Sequence, residues 1–286
     1  MEAKLQRRIQ RYGWDLAAAD YEPLWASQLA VAQKKLLECT APAPGERVLD
    51  VACGTGLIAF GAAAAVSPDG HVLGVDLSEQ MVQSAQRQAR QRAVANTHFL
   101  RMDAERLALA DGGFDVALCA LGLMYMPDPE AAIRELRRVL RPGGRVGVAV
   151  WGERSRCGWS PVFPIVEAEV ASEVCPLFFR LGQGEALTDL CTDARLHILE
   201  HHRISATLVY ANADEACSAA FAGGPVALAW SRFDENTRAR VCERYIEAIS
   251  PWREGECFRL PGEFVIVTAM KSTEAEPPTR CRDLRW

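Results

Sequence analysis

The sequence has no apolar run long enough to cross a membrane. Its longest apolar runs, residues 57–66 and 116–126, contain 10 and 11 residues, whereas a membrane helix needs about 20. The first 15 residues carry charges throughout and show no apolar segment of a secretory signal. We therefore expect a cytoplasmic protein without a membrane span.

Closely spaced cysteines are also absent. The chain has ten cysteines, but the shortest separation is the 14 residues from Cys39 to Cys53, and no C-x-x-C pair occurs. Structural zinc sites and small disulfide-rich folds both use short cysteine spacings. We expect reduced, mostly packed thiols and no metal centre.

An excess of positive charge is missing as well. Lys and Arg total 32 against 37 Asp and Glu, so the net charge is -5. Such a chain repels a phosphate backbone unless a local basic patch overrides the repulsion, so nucleic acid is not an expected partner. Its 49% hydrophobic and 24% charged residues are typical of a globular protein.

Between residues 46 and 151, apolar runs alternate with helical patterns. Such alternation predicts parallel strands joined by crossover helices. The predicted strands are 47–52, 71–76, 98–102, 114–121 and 145–151. Two further strands are predicted at 198–210 and 258–271, after a segment rich in large apolar side chains.

The first predicted strand runs into a glycine loop and then a helix. Gly54 and Gly56 allow a sharp turn and a close approach to a ligand, and the helix N-terminus offers free N–H groups. The glycines alone would also suit an ordinary strand–turn–helix. Asp50 favours a functional loop, because a carboxylate in an apolar strand needs hydrogen bonds and the loop N–H groups are the nearest donors.

Two more acids follow the next two strands. Asp76 lies 20 residues after Gly56, where a carboxylate can accept both hydrogen bonds of a ribose diol. Asp103 follows the third strand and can accept a bond from an adenine amino group. Each acid alone also suits a helix start or a loop. Three acids and two glycines in register over three successive strands together predict a ligand site at the carboxyl edge of the sheet.

These segments, DVACGTG (50–56), GVDLS (74–78) and MDA (102–104), resemble motifs of the class I S-adenosylmethionine-dependent methyltransferases. FDVA (114–117), MPD (126–128) and RVLRPGG (138–144) extend the likeness to small-molecule enzymes of the ubiquinone and menaquinone biosynthesis type. The close resemblance covers about residues 10–152. It implies a Rossmann-like fold: a seven-stranded, mostly parallel sheet with helices on both faces, an N-terminal helical lid and a helical insertion after strand 5.

The resemblance also implies a set of residues that bind S-adenosylmethionine. The set is Asp50, Ala52, Gly54, Gly56, Asp76, Leu77, Met81, Asp103, Ala104 and Ala120. Within it the glycines approach the methionine part, Asp76 holds the ribose hydroxyls and Leu77 packs on the adenine. Asp103 and the Ala104 N–H would read the adenine edge, and Asp50 would stiffen the loop.

Methyl transfer is an in-line displacement that needs alignment more than catalytic side chains, although a hydroxyl or acidic carbon acceptor also needs a base. His201 and His202 are the base candidates among only five histidines. Tyr125 could hydrogen-bond an acceptor, because residues 122–125 follow the fourth strand, where the family places the acceptor. For all three, a purely structural role remains open.

We expect a lid over residues 1–45, a methyltransferase domain over 46–271 and a loose tail over 272–286. Insertions at about 153–195 and 211–255 would cover the substrate. The predicted acceptor is a small apolar or aromatic metabolite, such as a quinone precursor, a polyketide or another natural product. A homodimer stays open.

Two alternatives remain. Residues 54–59 also fit G-x-G-x-x-A with an acid 20 residues on, as in NAD(P)-dependent oxidoreductases. Such an enzyme has no evident use for Asp50 or Asp103. The other alternative is a protein that binds S-adenosylmethionine without catalysis.

Overall fold

The computed structural model describes residues 3–170 and 178–273. The strands are β1 (Arg47–Val51), β2 (His71–Asp76), β3 (Thr97–Arg101), β4 (Phe114–Ala120), β5 (Leu140–Trp151), β6 (Leu196–Tyr210), β7 (Arg253–Glu254) and β8 (Cys257–Lys271). The helices are α1 (Ala3–Ala17), α2 (Tyr21–Thr40), α3 (Leu57–Val66), α4 (Glu79–Gln91), α5 (Pro129–Val139), α6 (Val162–Val170), α7 (Ala186–Asp193), α8 (Ala213–Cys217), α9 (Ala227–Trp230) and α10 (Glu235–Ile249).

The strands form one mixed sheet in the order β3-β2-β1-β4-β5-β8-β6, with β7 paired to β8 at the side. All pairs among β1 to β5 are parallel, and β8 is antiparallel to both β5 and β6. The chain order reverses direction at β1, which lies between β2 and β4. Ligands of open α/β sheets bind beyond the strand ends at such a point.

Local sequence explains where these elements begin. β1 is apolar apart from Arg47 and Asp50, and four of its five residues are buried. α4 starts where the Ser78 side chain accepts the Met81 N–H, and α5 starts where Asp128 accepts the Ala131 N–H. Ser and Asp favour such starts, because their side chains satisfy the free N–H groups of a first helical turn.

Helices cover both faces of the sheet. One buried cluster joins the sheet to α3, α4 and the end of α2, with Ile58 and Val82 among its members. The other joins the sheet to α5, α7, α10 and the segment after β5, with Ile133 and Trp159 among its members. This arrangement is the predicted Rossmann-like fold.

The structure differs from the prediction in two details. It has eight strands rather than seven, because the two-residue β7 forms a short pair with β8. β5 begins at Leu140 rather than at residue 145, because its pairing with β4 continues past an irregularity between Phe114 and Val116.

The last two long strands continue beyond the rest of the sheet. Trp151, the last residue of β5, pairs with Phe264 of β8, which pairs with Ile204 of β6. Residues 204–210 and 258–264 therefore form a two-stranded ribbon past the end of β5. The helices at 162–193 and 213–249 lie within the two predicted insertions, and α1 and α2 precede the sheet.

The predicted domain limits remain predictions. From residue 274 onward, the predicted tail lies outside the described residues. None of the described helices is both long enough and apolar enough to span a bilayer.

Candidate functional site

A cavity with about 760 Å³ of empty space, partly open to solvent, lies at the carboxyl ends of β1, β2, β3 and β4. Eight of the ten residues predicted to bind the cofactor line it. They are Ala52, Gly54, Asp76, Leu77, Met81, Asp103, Ala104 and Ala120. The remaining two, Asp50 and Gly56, lie outside the lining.

Asp76 joins the tips of two strands at this cavity. Its Oδ2 accepts the Gly54 N–H at 2.9 Å and its Oδ1 accepts the Ser78 N–H at 2.8 Å. Burial raises the pKa of Asp76, and the two N–H bonds oppose that rise. Because each carboxylate oxygen has a second lone pair, both can still accept a ligand hydroxyl. Two such oxygens on one carboxylate fit the two neighbouring hydroxyls of a diol.

The loop after β1 comes close to the loop after β4. A Cβ atom added to Gly122 would lie 2.3 Å from the Ala52 Cβ. Two carbon atoms cannot pack this closely, so the two loops could not approach each other in this way with a larger residue at position 122. Gly54 and Gly56 both have left-handed backbone, at φ +54° and +91°, a conformation that favours glycine. Gly56 is the N-cap of α3, and a Cβ there would lie 2.9 Å from the Phe60 ring. Gly56 therefore determines the conformation of the loop, although it does not line the cavity.

Asp50 lacks the hydrogen bonds that the sequence predicted. Its side chain is fully buried, and neither carboxylate oxygen accepts a hydrogen bond of normal geometry among the described residues, although the backbone N–H of Ala59 acts on the carboxylate and lowers its pKa. The loop N–H groups are engaged elsewhere: Cys53 donates to the Val75 carbonyl, Gly54 to Asp76, and Gly56 to the Cys53 carbonyl. Burial, followed by the nearby Asp76 charge, raises the pKa of Asp50 well above its usual range.

The acid after β3 is held from two sides. Asp103 Oδ1 accepts the Glu105 N–H at 3.0 Å, and Asp103 Oδ2 lies 3.6 Å from Arg7 Nε. Arg7 also donates twice to Glu105 Oε2, at 2.8 and 2.6 Å. α1 therefore packs directly on the loop that carries Asp103 and Ala104.

The N-terminal helices cover one side of the cavity. Arg7, Gln10 and Trp14 of α1 and Tyr21 of α2 belong to its lining. The Trp14 ring contacts Tyr125 edge-on, with ring centroids 5.0 Å apart. The sequence predicted a lid over residues 1–45 but did not single out Arg7 and Gln10 as residues that line the cavity. Their only signal is a position on the same helix face as Trp14, at i, i+3 and i+7.

The structure does not bring His201 and His202 to this cavity. Both belong to β6, the edge strand, which β5 and β8 separate from β4. His201 Nδ1 lies 3.1 Å from Glu185 Oε2, and His202 Nε2 lies 2.6 Å from Glu200 Oε2. Their position argues against the predicted role as base. Tyr125, the third catalytic candidate, does line the cavity.

One group of possible metal ligands occurs among the described residues, although the sequence predicted none. Single ligand atoms of Cys39, Glu200 and His202 lie within 4.8 Å of one another. The group lies between α2 and the edge strand β6, and none of its members lines the cavity. It has no part in the site described above.

A smaller cavity, with about 320 Å³ of empty space, adjoins the first one. Trp14, Tyr21, Leu121 and Tyr125 line both cavities and therefore lie between them. The other side of the smaller cavity is lined by residues of α2, of the end of β5, of the segment after β5 and of the loop before α9. The two cavities meet at the lid.

Comparisons with known proteins agree with this geometry. A family described as "Methyltransferase domain" matches residues 48–144. Aklanonic acid methyltransferase DauC of Streptomyces sp. (strain C5) is 30% identical over 151 residues, which cover 53% of this chain and 68% of that protein. A demethylmenaquinone methyltransferase of Lactococcus lactis subsp. lactis (strain IL1403) is 33% identical over 145 residues, which cover 49% of this chain and 57% of that protein.

Among solved structures, the [4+2]-cyclase SpnF is similar with a TM-score of 0.58 and 26% identity. The match covers 85% of this chain and 81% of that one. With several other curated relatives, the chain aligns over about half of their length, for example 48% of a nocamycin O-methyltransferase of Saccharothrix syringae.

Proposed function

We propose, because this chain belongs to the S-adenosylmethionine-dependent methyltransferases, that it methylates a small apolar or aromatic metabolite. The names of its relatives support this acceptor class, since one is named for aklanonic acid and another for demethylmenaquinone. A polyketide, a quinone precursor or a similar natural product would fit. The mostly apolar lining between the two cavities supports the same class.

The residues of the larger cavity fit S-adenosylmethionine. Asp76, with both oxygens oriented by N–H groups and still able to accept, would hold the ribose hydroxyls. Leu77, Met81 and Ala104 would surround the adenine, with Asp103 at its edge. The glycine loop would lie against the methionine part. When bound, the donor supplies a methyl group on a positively charged sulfur, which is a good leaving group.

The contribution of the protein is then alignment and exclusion of water. α1 and α2 cover the cavity, and Trp14, Tyr21 and Tyr125 stand where donor and acceptor would meet. Burial, together with the charges of Asp76 and Asp50, raises the pKa of Tyr21 far above neutral. Its phenol stays protonated and can donate a hydrogen bond, but it does not serve as a base.

The observation that carries the proposal is the common cavity of Asp76, Asp103 and Gly54, which come from three different strand ends. Calorimetry with S-adenosylmethionine, S-adenosylhomocysteine, NADH and NADPH tests it. We expect both adenosyl compounds to bind and neither dinucleotide. Preference for a dinucleotide would support the oxidoreductase alternative and contradict the proposal.

A second experiment separates catalysis from binding. Cell extract is incubated with the protein and a donor carrying an isotope-labelled methyl group, and products are analysed by mass spectrometry. Transfer of the label to a small molecule is expected, with less transfer by an Asp76→Ala variant when the donor is limiting. Tight donor binding without any labelled product would favour a role other than methylation, since the structurally similar SpnF is a [4+2]-cyclase.

We also propose the cytoplasm as the compartment. All eight cysteines in the described ranges are free thiols. Reduced thiols are typical of cytosolic proteins, because disulfides persist mainly in oxidising compartments.

A further inference from the structure

A sulfur, a nitrogen and an oxygen donor meet between the end of α2 and the edge strand β6, and none of the three lines either cavity. Cys39 belongs to the last turn of α2, and Glu200 and His202 belong to β6. One donor atom of each side chain lies within 4.8 Å of the other two. Tetrahedral zinc, with bonds of about 2.0 to 2.3 Å, holds its ligand atoms about 3 to 4 Å apart. Movements of about 1 Å would therefore bring these three atoms around one ion.

The backbones that carry the three side chains are held against each other. Side chains alternate along β6, so Glu200 and His202 lie on one side of the strand and His201 lies on the other. Gln28 of α2 makes two hydrogen bonds to Val209 of β6: its Nε2 donates to the carbonyl at 2.6 Å, and its Oε1 accepts the N–H at 2.9 Å. The spacing of helix and strand is thus set before an ion binds, which favours a specific site.

Glu200 lies between the other two side chains. Its Oε2 is 2.6 Å from His202 Nε2, and its carboxylate also accepts a hydrogen bond from the Cys39 thiol. The bond from His202 and then the bond from Cys39 lower the pKa of Glu200, so its carboxylate is ionised at neutral pH. A metal ion would take the place of the two bridging hydrogens, because a ligand thiol loses its proton and imidazole binds through a nitrogen without one. One thiolate and one carboxylate then balance a divalent charge.

The donor set favours zinc over the hard divalent cations. Mg²⁺ and Ca²⁺ prefer oxygen ligands, whereas thiolate and imidazole suit Zn²⁺. Three protein ligands leave a fourth position, which water can occupy because Glu200 is exposed. One feature opposes a cation: Lys35 lies one turn before Cys39, and its charge acts on the thiol. Lys35 is partly exposed, so its long side chain can turn its charge towards solvent.

We propose that Cys39, Glu200 and His202 bind one zinc ion, which joins the end of α2 to the edge strand of the sheet. The proposal does not depend on the proposed function, because the three residues lie outside the cavity assigned to S-adenosylmethionine. α2 begins at Tyr21, which lines that cavity. The ion would therefore fix the far end of a helix that covers the donor site.

The test uses the reduced, metal-free full chain, titrated with Co²⁺ and then with Zn²⁺. Cobalt bound to a thiolate gives a near-ultraviolet charge-transfer band from sulfur to metal. We expect this band to appear and to saturate at one Co²⁺ per chain. Zn²⁺ should then remove the band by displacing Co²⁺, whereas an excess of Mg²⁺ should leave it unchanged. Competition with a coloured chelator measures the zinc affinity.

Variants assign the ion to the three residues. Cys39→Ser should abolish the cobalt band, and His202→Gln should weaken zinc binding by at least about tenfold, because even the loss of a partner behind a metal ligand costs about 10- to 100-fold. The matched controls are Cys257→Ser, at an exposed cysteine, and His201→Gln, on the other side of β6. Both should keep the band and the affinity. Lys35→Gln should bind zinc more tightly, since it removes the nearby positive charge.

Circular dichroism of each variant separates loss of the ion from loss of the fold. Absence of the cobalt band from the unsubstituted protein would overturn the proposal. A band that persists in Cys39→Ser, or that disappears from Cys257→Ser, would mean adventitious binding at another thiol and would overturn it too. Unchanged zinc affinity in His202→Gln would contradict the ligand set. None of these outcomes bears on the binding of S-adenosylmethionine, which the proposed function requires.

Discussion

The Ser78 hydroxyl donates a 2.6 Å hydrogen bond to Asp15 Oδ1, and this contact joins α1 to the start of α4. The same Asp15 oxygen lies 3.2 Å from the Gln80 N–H. A carboxylate at this end of a helix is favourable, because the helix N-terminus carries partial positive charge. Two turns earlier on α1, Arg7 pairs with Glu105 at 2.6 Å. These two polar contacts add to the Trp14–Tyr125 ring contact in attaching the lid to the rest of the site.

Removal of the Asp15 carboxylate should loosen the lid. For Asp15→Ala we expect a loss of about 1 kcal/mol in docking of α1. Hydrogen exchange of the α1 amides should become about fivefold faster, and S-adenosylhomocysteine should bind more weakly because α1 lines its cavity. Asp20→Ala is the control, since Asp20 is exposed and its side chain makes no cap bond. Equal exchange rates in both variants would contradict the attachment.

Asp76 provides the sharpest test of donor binding. Asp76→Ala should weaken the affinity for S-adenosylhomocysteine by about 1 to 3 kcal/mol, because charge-assisted bonds to the ribose are lost. Calorimetry measures the change. Asp69→Ala, at the exposed turn before the other end of β2, should bind like the unsubstituted protein. Unchanged affinity in Asp76→Ala would mean that the ligand lies elsewhere.

The sequence was sufficient to place residues that directly follow the parallel strands. Asp76 and Asp103 could be placed at one sheet edge, because parallel strands joined by crossover helices all end on the same side. The same order placed Leu77 and Ala104, which follow those acids directly. The sequence could not show that Asp50 would go without the loop N–H donors, because those N–H groups have acceptors on β2 and within the loop itself.

The close contact between the loops after β1 and β4 should be sensitive to one added methyl group. Gly122→Ala would place a Cβ 2.3 Å from the Ala52 Cβ, and overpacking of this kind costs about 1 to 3 kcal/mol. Urea unfolding measures the loss of stability, and S-adenosylhomocysteine affinity should fall as well. In Gly113→Ala the nearest atom would be 3.7 Å away, so this control should unfold nearly as the unsubstituted protein does.

The lining of the smaller cavity shows what sequence patterns leave out. Trp25, Trp151 and Trp159 come from α2, from the end of β5 and from the segment after it, and no periodicity relates them. The sequence predicted insertions that cover the substrate but not which rings would meet. His201 and His202 were candidates for the base because histidine is rare in this chain. Their strand, β6, lies at the edge of the sheet and away from the cavity, which argues against that role.

The buried Asp50 should make the stability of the ligand-free protein depend on pH. Its pKa is raised well above 3.8 in the folded state by burial, so the folded state holds the proton more tightly than the unfolded state does. The resulting stabilisation is fully present below pH 3.8 and is lost as the pH rises through the folded-state pKa. Each unit by which the folded-state pKa is raised corresponds to about 1.4 kcal/mol.

Asp50→Asn removes this titration while keeping the shape of the side chain. We therefore expect Asp50→Asn to melt at a higher temperature than the unsubstituted protein at pH 8, with a difference that shrinks as the pH falls towards 4. Thermal unfolding without ligand across this range measures it, with the exposed Asp69→Asn as the matched control. A pH-independent difference would mean that the substitution acts through packing. Lower stability of Asp50→Asn at pH 8 would mean that the charged carboxylate has partners in solution, because only a solvated or paired charge stabilises the fold.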